Sequence, residues 1–152
     1  MAYWLMKCEP AVYSMSDLVA DQTTCWEGVR NYQARNMLRD QMQVGDRAFF
    51  YHSNCAEPGI VGIMQITRAG YVDHTAFDPD AKYYDRKSDP TNPRWYMVDV
   101  QHERTLTRTI TLRELKPYAD NELQGLPLVR KGNRLSVMPL TSAQWQFVLN
   151  LE

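Results

Sequence analysis

The densest run of chemically capable residues is Trp26-Glu27-Gly28-Val29-Arg30-Asn31-Tyr32-Gln33-Ala34-Arg35-Asn36, where aromatics and a glycine alternate with arginines and amides. An indole offers a flat face for stacking. The amides of Asn31, Gln33 and Asn36 offer donors and acceptors, and the guanidinium groups of Arg30 and Arg35 suit phosphate. These are the groups that would hold a base and its backbone. The competing reading makes Trp26 and Tyr32 core aromatics and the arginines a solvated face, and both fit the spacing.

Three further stretches carry related chemistry. In Phe49-Phe50-Tyr51-His52-Ser53-Asn54 a strand ends in short polar side chains. Ser53 and Asn54 there can hydrogen-bond a base edge or simply close an Asx-type turn. Lys82-Tyr83-Tyr84-Asp85-Arg86-Lys87-Ser88 interleaves cations with tyrosines, charge for a backbone and faces for bases, although surface loops share that composition. Arg130-Lys131-Gly132-Asn133-Arg134-Leu135-Ser136-Val137 is a basic turn entering a strand, either a phosphate clamp or a charged hairpin.

Catalytic patterns are weaker. His52, His74 and His102 are far apart, and no pair among the histidines and cysteines has a metal-ligand spacing, so no metal is expected. Cys25-Trp26 resembles the pair at a thiol-protease nucleophile, but Thr23 and Thr24 stand where a glycine and a second cysteine belong. There is no P-loop and no dinucleotide-binding glycine fingerprint, and among 18 acidic residues nothing singles out an acid/base pair. No cofactor and no enzymatic activity are expected.

The elements that must position these groups follow from periodicity and punctuation. Tyr3 to Met6 reads as a first strand. Ser14 with Asp17 forms a capping box for a helix through about Ala20, and a second helix is expected from Tyr32 to Gln41. Arg47 to Ser53 and Ile60 to Thr67, separated by Pro58-Gly59, read as paired strands with apolar residues on both faces, which suits a closed or heavily covered sheet. Trp95 to Gln101 and Arg104 to Ile110 suggest another strand pair. Thr111 with Glu114 caps a helix through about Leu115, Leu135 to Leu140 is a last strand, and Thr141 with Gln144 caps a helix to about Asn150. Short connections favour antiparallel neighbours. The expected fold is α+β, a small mixed or antiparallel barrel decorated by short helices.

The bulk numbers agree with one ordinary globular domain over residues 1–152: 44% hydrophobic, 11% aromatic and 23% charged. No stretch approaches the roughly 18 apolar residues of a membrane span, and no signal-peptide core follows Met1, so a cytoplasmic protein is expected, or a nuclear one in a eukaryote. Cys8, Cys25 and Cys55 are an odd number at wide spacing, as for reduced thiols. Net charge is −1, so nucleic-acid binding must come from a local patch, and 12 of the 17 basic residues are arginine. The chain is expected to be a monomer or a weak homodimer.

Taken in order, Tyr3-Trp4-Leu5-Met6-Lys7 with Glu9-Pro10, the run from Trp26 to Asn36, Phe50 to Asn54, and Gly132 to Val137 resemble the EVE domain over nearly the whole chain. The resemblance implies a PUA-like barrel related to YTH and ASCH domains. It also implies a pocket that accepts a base swung out of its strand and discriminates modified bases in RNA or DNA. Under it Trp26 is the stacking wall and Ser53 with Asn54 read the base edge, while Asn31 and Tyr84 join the expected base pocket on their own chemistry. Lys7 and Glu9 sit at its mouth, and Arg30, Lys87 and Arg134 lie toward phosphate, where the residue chemistry also puts Arg35. Cys8 stands where many relatives have serine. The implied function is a non-enzymatic reader of single-stranded nucleic acid or of a flipped base. The alternatives are an enzyme acting on nucleotides or RNA, and a peptide-binding module.

Overall fold

The computed structural model describes all 152 residues. In chain order the elements are β1 (Tyr3–Cys8), α1 (Met15–Asp21), β2 (Thr23–Cys25), α2 (Tyr32–Asn36), β3 (Arg47–His52), β4 (Gly59–Val72), β5 (Tyr96–Thr111), α3 (Leu112–Leu115), β6 (Val137–Leu140) and α4 (Ser142–Asn150). Short 3-10 turns fill the long connections, and a π-helical turn, Met37–Gln41, continues α2 without a break. No helix is long and apolar enough to cross a membrane.

The strands form one mixed six-stranded sheet in the order β2-β5-β4-β3-β1-β6. All neighbours are antiparallel except β1 and β3, which run parallel because the α1–β2–α2 excursion between them supplies the long crossover that parallel pairing needs. The expected closed barrel is not reached. The ladder ends at β2 on one side and β6 on the other, and no hydrogen bonds join these two edges.

Both faces of the sheet are covered, which accounts for the apolar residues on both sides of β1, β3 and β4. Alternation sends Trp4, Met6, Ala48 and Phe50 into one cluster, with Met15 and Leu18 of α1 and Ala34, Met37 and Leu38 of α2 and its π turn. Leu5, Phe49 and Tyr51 point the other way, against Leu115, Leu123, Leu128, Trp145 and Val148. Phe49 stacks on Trp145 with ring centroids 3.8 Å apart.

Three strands differ from expectation. β5 is one continuous strand rather than two, because the polar run from Gln101 to Thr105 is an exposed, irregular middle and not a turn. Either side of it the strand serves different cores: Val98 and Val100 pack in the first cluster, Leu106 and Ile110 in the second. β4 extends to Val72, beyond the apolar run, because its outer half pairs with the start of β5. The three-residue β2 has no sequence signal of its own and exists by pairing Thr23–Cys25 with Asp99–Gln101.

Candidate functional site

A cavity of about 360 Å³ opens where the two ends of the sheet approach each other. One edge contributes Thr24 and Cys25 of β2 with the following Trp26, and the other contributes Ser136, whose carbonyl accepts from Lys7 N–H at 2.8 Å just before β6. The end of β1 supplies Lys7, Cys8 and Glu9, and Ser53 follows β3. The unclosed seam is therefore what leaves room for a ligand. Its volume lies in the range of roughly 300–1,000 Å³ usual for small-molecule sites.

Trp26 is both core and wall. Its side chain is 6% exposed and meets Phe50 edge-on at 5.2 Å, yet it lines the cavity. Its backbone N–H bonds to Val98 O at 2.8 Å, so the β2–β5 ladder carries on through the tryptophan and fixes it. The core reading therefore holds, and the indole also borders the cavity.

The loop after Trp26 is held from a distance. Gly28 adopts φ +85°, and a Cβ there would meet the Tyr83 ring at 2.5 Å, so a side chain is excluded both by conformation and by space. Its N–H donates to Asp73 Oδ2 at 2.9 Å, and Arg30 Nη1 donates to the same oxygen at 2.9 Å. Asp73 is fully buried; Thr75 supplies further bonds from its N–H and hydroxyl. Burial pushes the Asp73 carboxyl up, but the bonds from Gly28, Thr75 and Arg30 outweigh it and hold the group below the usual carboxylate range. Arg30 also donates to Tyr83 O at 2.6 Å and lies over Trp95 at 5.5 Å. Tyr83 is thereby clamped over Gly28, as part of the cavity wall.

The residues singled out in the sequence divide by location. Lys7, Glu9, Trp26, Ser53 and Arg134 line the cavity. Asn31 does not: its Oδ1 accepts from Ala34 N–H at 3.0 Å and caps α2. Arg30 faces Asp73, and Arg35 donates to Arg94 O at 2.9 Å while lying over Tyr32 at 4.8 Å, so both guanidinium groups are tied into the fold. Tyr84 is exposed and off the cavity; its neighbour Tyr83 is the lining residue. Lys87 is exposed on the same loop, outside the cavity. Asn54 takes a left-handed conformation, φ 49°, and its amide donates to Glu9 Oε1.

Cys8, Cys25, Tyr13, Glu27 and Tyr83 complete most of the wall and were not predicted as site residues. The signal for Tyr83 lay in the sequence as one of two adjacent tyrosines, and only the close approach to Gly28 chooses between them. Burial raises the thiols of Cys8 and Cys25, and also lowers the pKa of Lys7, for which it is the sole cause. Lys7 is thus a half-buried cation without a carboxylate partner, 5.7 Å from the Tyr51 ring centroid.

The chain is similar to known proteins throughout its length. The family profile described as the EVE domain matches residues 2–151. Thymocyte nuclear protein 1 of Danio rerio is 50% identical over 165 residues, which take in 98% of this chain and 71% of that protein. A solved Pseudomonas syringae protein has a TM-score of 0.94 and 49% identity, covering 99% of both chains. Human thymocyte nuclear protein 1, solved in complex with DNA containing 5-methylcytosine, has a TM-score of 0.90 and 48% identity over 99% of this chain and 97% of that one.

Proposed function

The chain belongs to the EVE-domain family, and from that premise we propose that it is a nucleic-acid-binding reader that captures a modified base swung out of its strand. The human relative's complex makes 5-methylcytosine in DNA the leading ligand. The observation that carries the reading is the 360 Å³ cavity itself, which joins an immobilised indole to hydrogen-bonding groups and two cations at one opening. In this reading the base stacks on Trp26, Ser53 and Glu9 meet its edge, and Lys7 and Arg134 face acceptor atoms or phosphate.

Magnitudes favour a single-stranded or already distorted substrate. Base–aromatic stacking contributes about 1 to 3 kcal/mol, while extruding a paired base costs a few kcal/mol. The gain from one stack roughly cancels the cost of flipping, so edge hydrogen bonds decide whether binding occurs. The thiols do not favour a cysteine nucleophile: an activated one has its pKa lowered, and burial moves Cys8 and Cys25 the other way.

The test is equilibrium binding to short single-stranded RNA and DNA carrying unmodified, cytosine-modified or adenine-modified bases, at two salt concentrations. We expect one modified base to bind tightest. Trp26→Ala should weaken that interaction by about 5- to 150-fold, the equivalent of 1 to 3 kcal/mol, while Trp26→Phe, which keeps a ring, should retain part of it. Undiminished binding by a folded Trp26→Ala protein would contradict the stacking role.

A further inference from the structure

We propose that Glu9 makes the cavity selective for a base bearing an exocyclic amine, so that 5-methylcytosine is accepted and thymine refused, with Asn54 as the residue that positions it. This rests on the base-reading function above and adds the group that chooses between bases.

The argument starts from the carboxylate. Glu9 follows β1 and lines the cavity. Its Oε1 accepts from the Asn54 amide, while Oε2 has no partner within the protein. Asn54 can reach back because it sits in the left-handed region just after β3, a conformation that asparagine tolerates better than most residues. Parallel pairing of β1 with β3 sets Cys8 opposite His52, and Ser53 N–H bonds to Cys8 O at 3.1 Å, so the two segments leave the sheet side by side. One oxygen of the carboxylate is therefore fixed by a neighbour and the other is left free to accept, on a residue that lines the cavity.

An ionised carboxylate can only accept. The 4-amino group of cytosine donates, and a glutamate or aspartate accepting from it is an established way to read that base. Thymine has the same ring and the same 5-methyl group as 5-methylcytosine, but a carbonyl oxygen replaces the amine. That oxygen would face the lone pairs of Glu9, with repulsion and two unsatisfied acceptors as the result. Lys7, with no carboxylate partner of its own, and the Ser53 hydroxyl can donate to the acceptor atoms of the cytosine edge. The cavity thus offers one acceptor and two donors, the complement of cytosine and not of thymine.

Replacing Glu9 by glutamine gives a specific outcome. Asn54 would continue to donate to the glutamine Oε1, leaving the new amide to occupy the free position as a donor. The preference should then shift toward a carbonyl. The experiment measures dissociation constants of wild-type protein, Glu9→Gln and Asn54→Gly for three single-stranded DNAs, identical but for one central 5-methylcytosine, thymine or cytosine. Thermal melting verifies that each variant folds, and glycine at 54 keeps the left-handed backbone while removing the amide.

Wild type should bind 5-methylcytosine about 10-fold or more tighter than thymine, the scale of one good base-edge contact. Glu9→Gln should bring that ratio to one or invert it. Asn54→Gly should lower it by a smaller factor, with the salt dependence of binding unchanged. Equal wild-type affinity for 5-methylcytosine and thymine would overturn the inference while leaving a base-binding cavity. An unchanged ratio in folded Glu9→Gln would also overturn it. No preference by wild type among all three DNAs would fail the reader function itself.

Discussion

At the scale of single residues, the segment from Trp26 to Arg35 shows what a linear pattern can and cannot reveal. The pattern offers Trp26 as either a stacking face or a core aromatic and says nothing of the Gly28 backbone, and the structure brings both residues to the cavity. Arg30, Asn31 and Arg35 look equally available in one dimension. Their partners decide otherwise: Arg30 meets Asp73, 43 residues away, and Arg35 meets the carbonyl of Arg94, 59 away. Only Asn31 has a local alternative, the cap of α2 three residues on. Long-range partners of this kind leave no trace in spacing. The same contacts make a prediction for Gly28→Ala, whose methyl must displace the Tyr83 ring at a positive φ. It should destabilise the protein by about 1 to 3 kcal/mol in urea unfolding and weaken nucleic-acid binding as well, because Tyr83 is wall. Unchanged stability would contradict both the backbone strain at Gly28 and its close packing against the Tyr83 ring.

At the scale of elements, local signals were the most readable. The capping boxes at Ser14 and Asp17, Thr111 and Glu114, and Thr141 and Gln144 all form, because each needs only residues three apart. Strand boundaries were read less well, since β2 and the joined halves of β5 depend on neighbours rather than on their own residues. The α3 cap also carries a pH dependence. Glu114 is paired with Arg108 at 2.7 Å and accepts from Thr111 N–H, and the guanidinium above all holds its carboxyl down at about 2. A carboxylate whose pKa is lower in the folded state stabilises the fold fully above its unfolded value of about 4.3 and ceases to as pH falls through 2. Asp73, shifted in the same direction, adds to this loss. The melting temperature should therefore drop between about pH 4.5 and pH 2, and Glu114→Gln should show a shallower drop with a lower plateau at neutral pH. An identical pH profile would remove Glu114 from the account.

At the scale of the whole molecule, the α+β class and the covered sheet were foreseen, and the PUA-like fold is the one shared with the solved relatives. The sequence does not reveal that the sheet stays open, or that the cavity is lined by the edge strand β2 and by Ser136, which precedes the other edge strand β6. Barrel closure needs residues from β2 and β6, the two shortest strands, and one of these has no sequence signature at all. With a net charge of −1, the proposed attraction for a polyanion rests on local cations, Lys7 and Arg134 at the cavity and exposed ones such as Lys87. The four tryptophans sample the molecule at separate places. Trp4 is bonded to Asp46 and Trp95 to Asp85, Trp145 lies in the second core, and only Trp26 lines the cavity. The most direct test of base capture is therefore a titration of the ¹⁵N-labelled protein with single-stranded DNA bearing one 5-methylcytosine, followed through the four indole N–H resonances. A shift concentrated on Trp26, with Trp4 and Trp145 unmoved, is the predicted result. Perturbation centred on another tryptophan, or binding with no change at Trp26, would contradict the claim that the base enters this cavity.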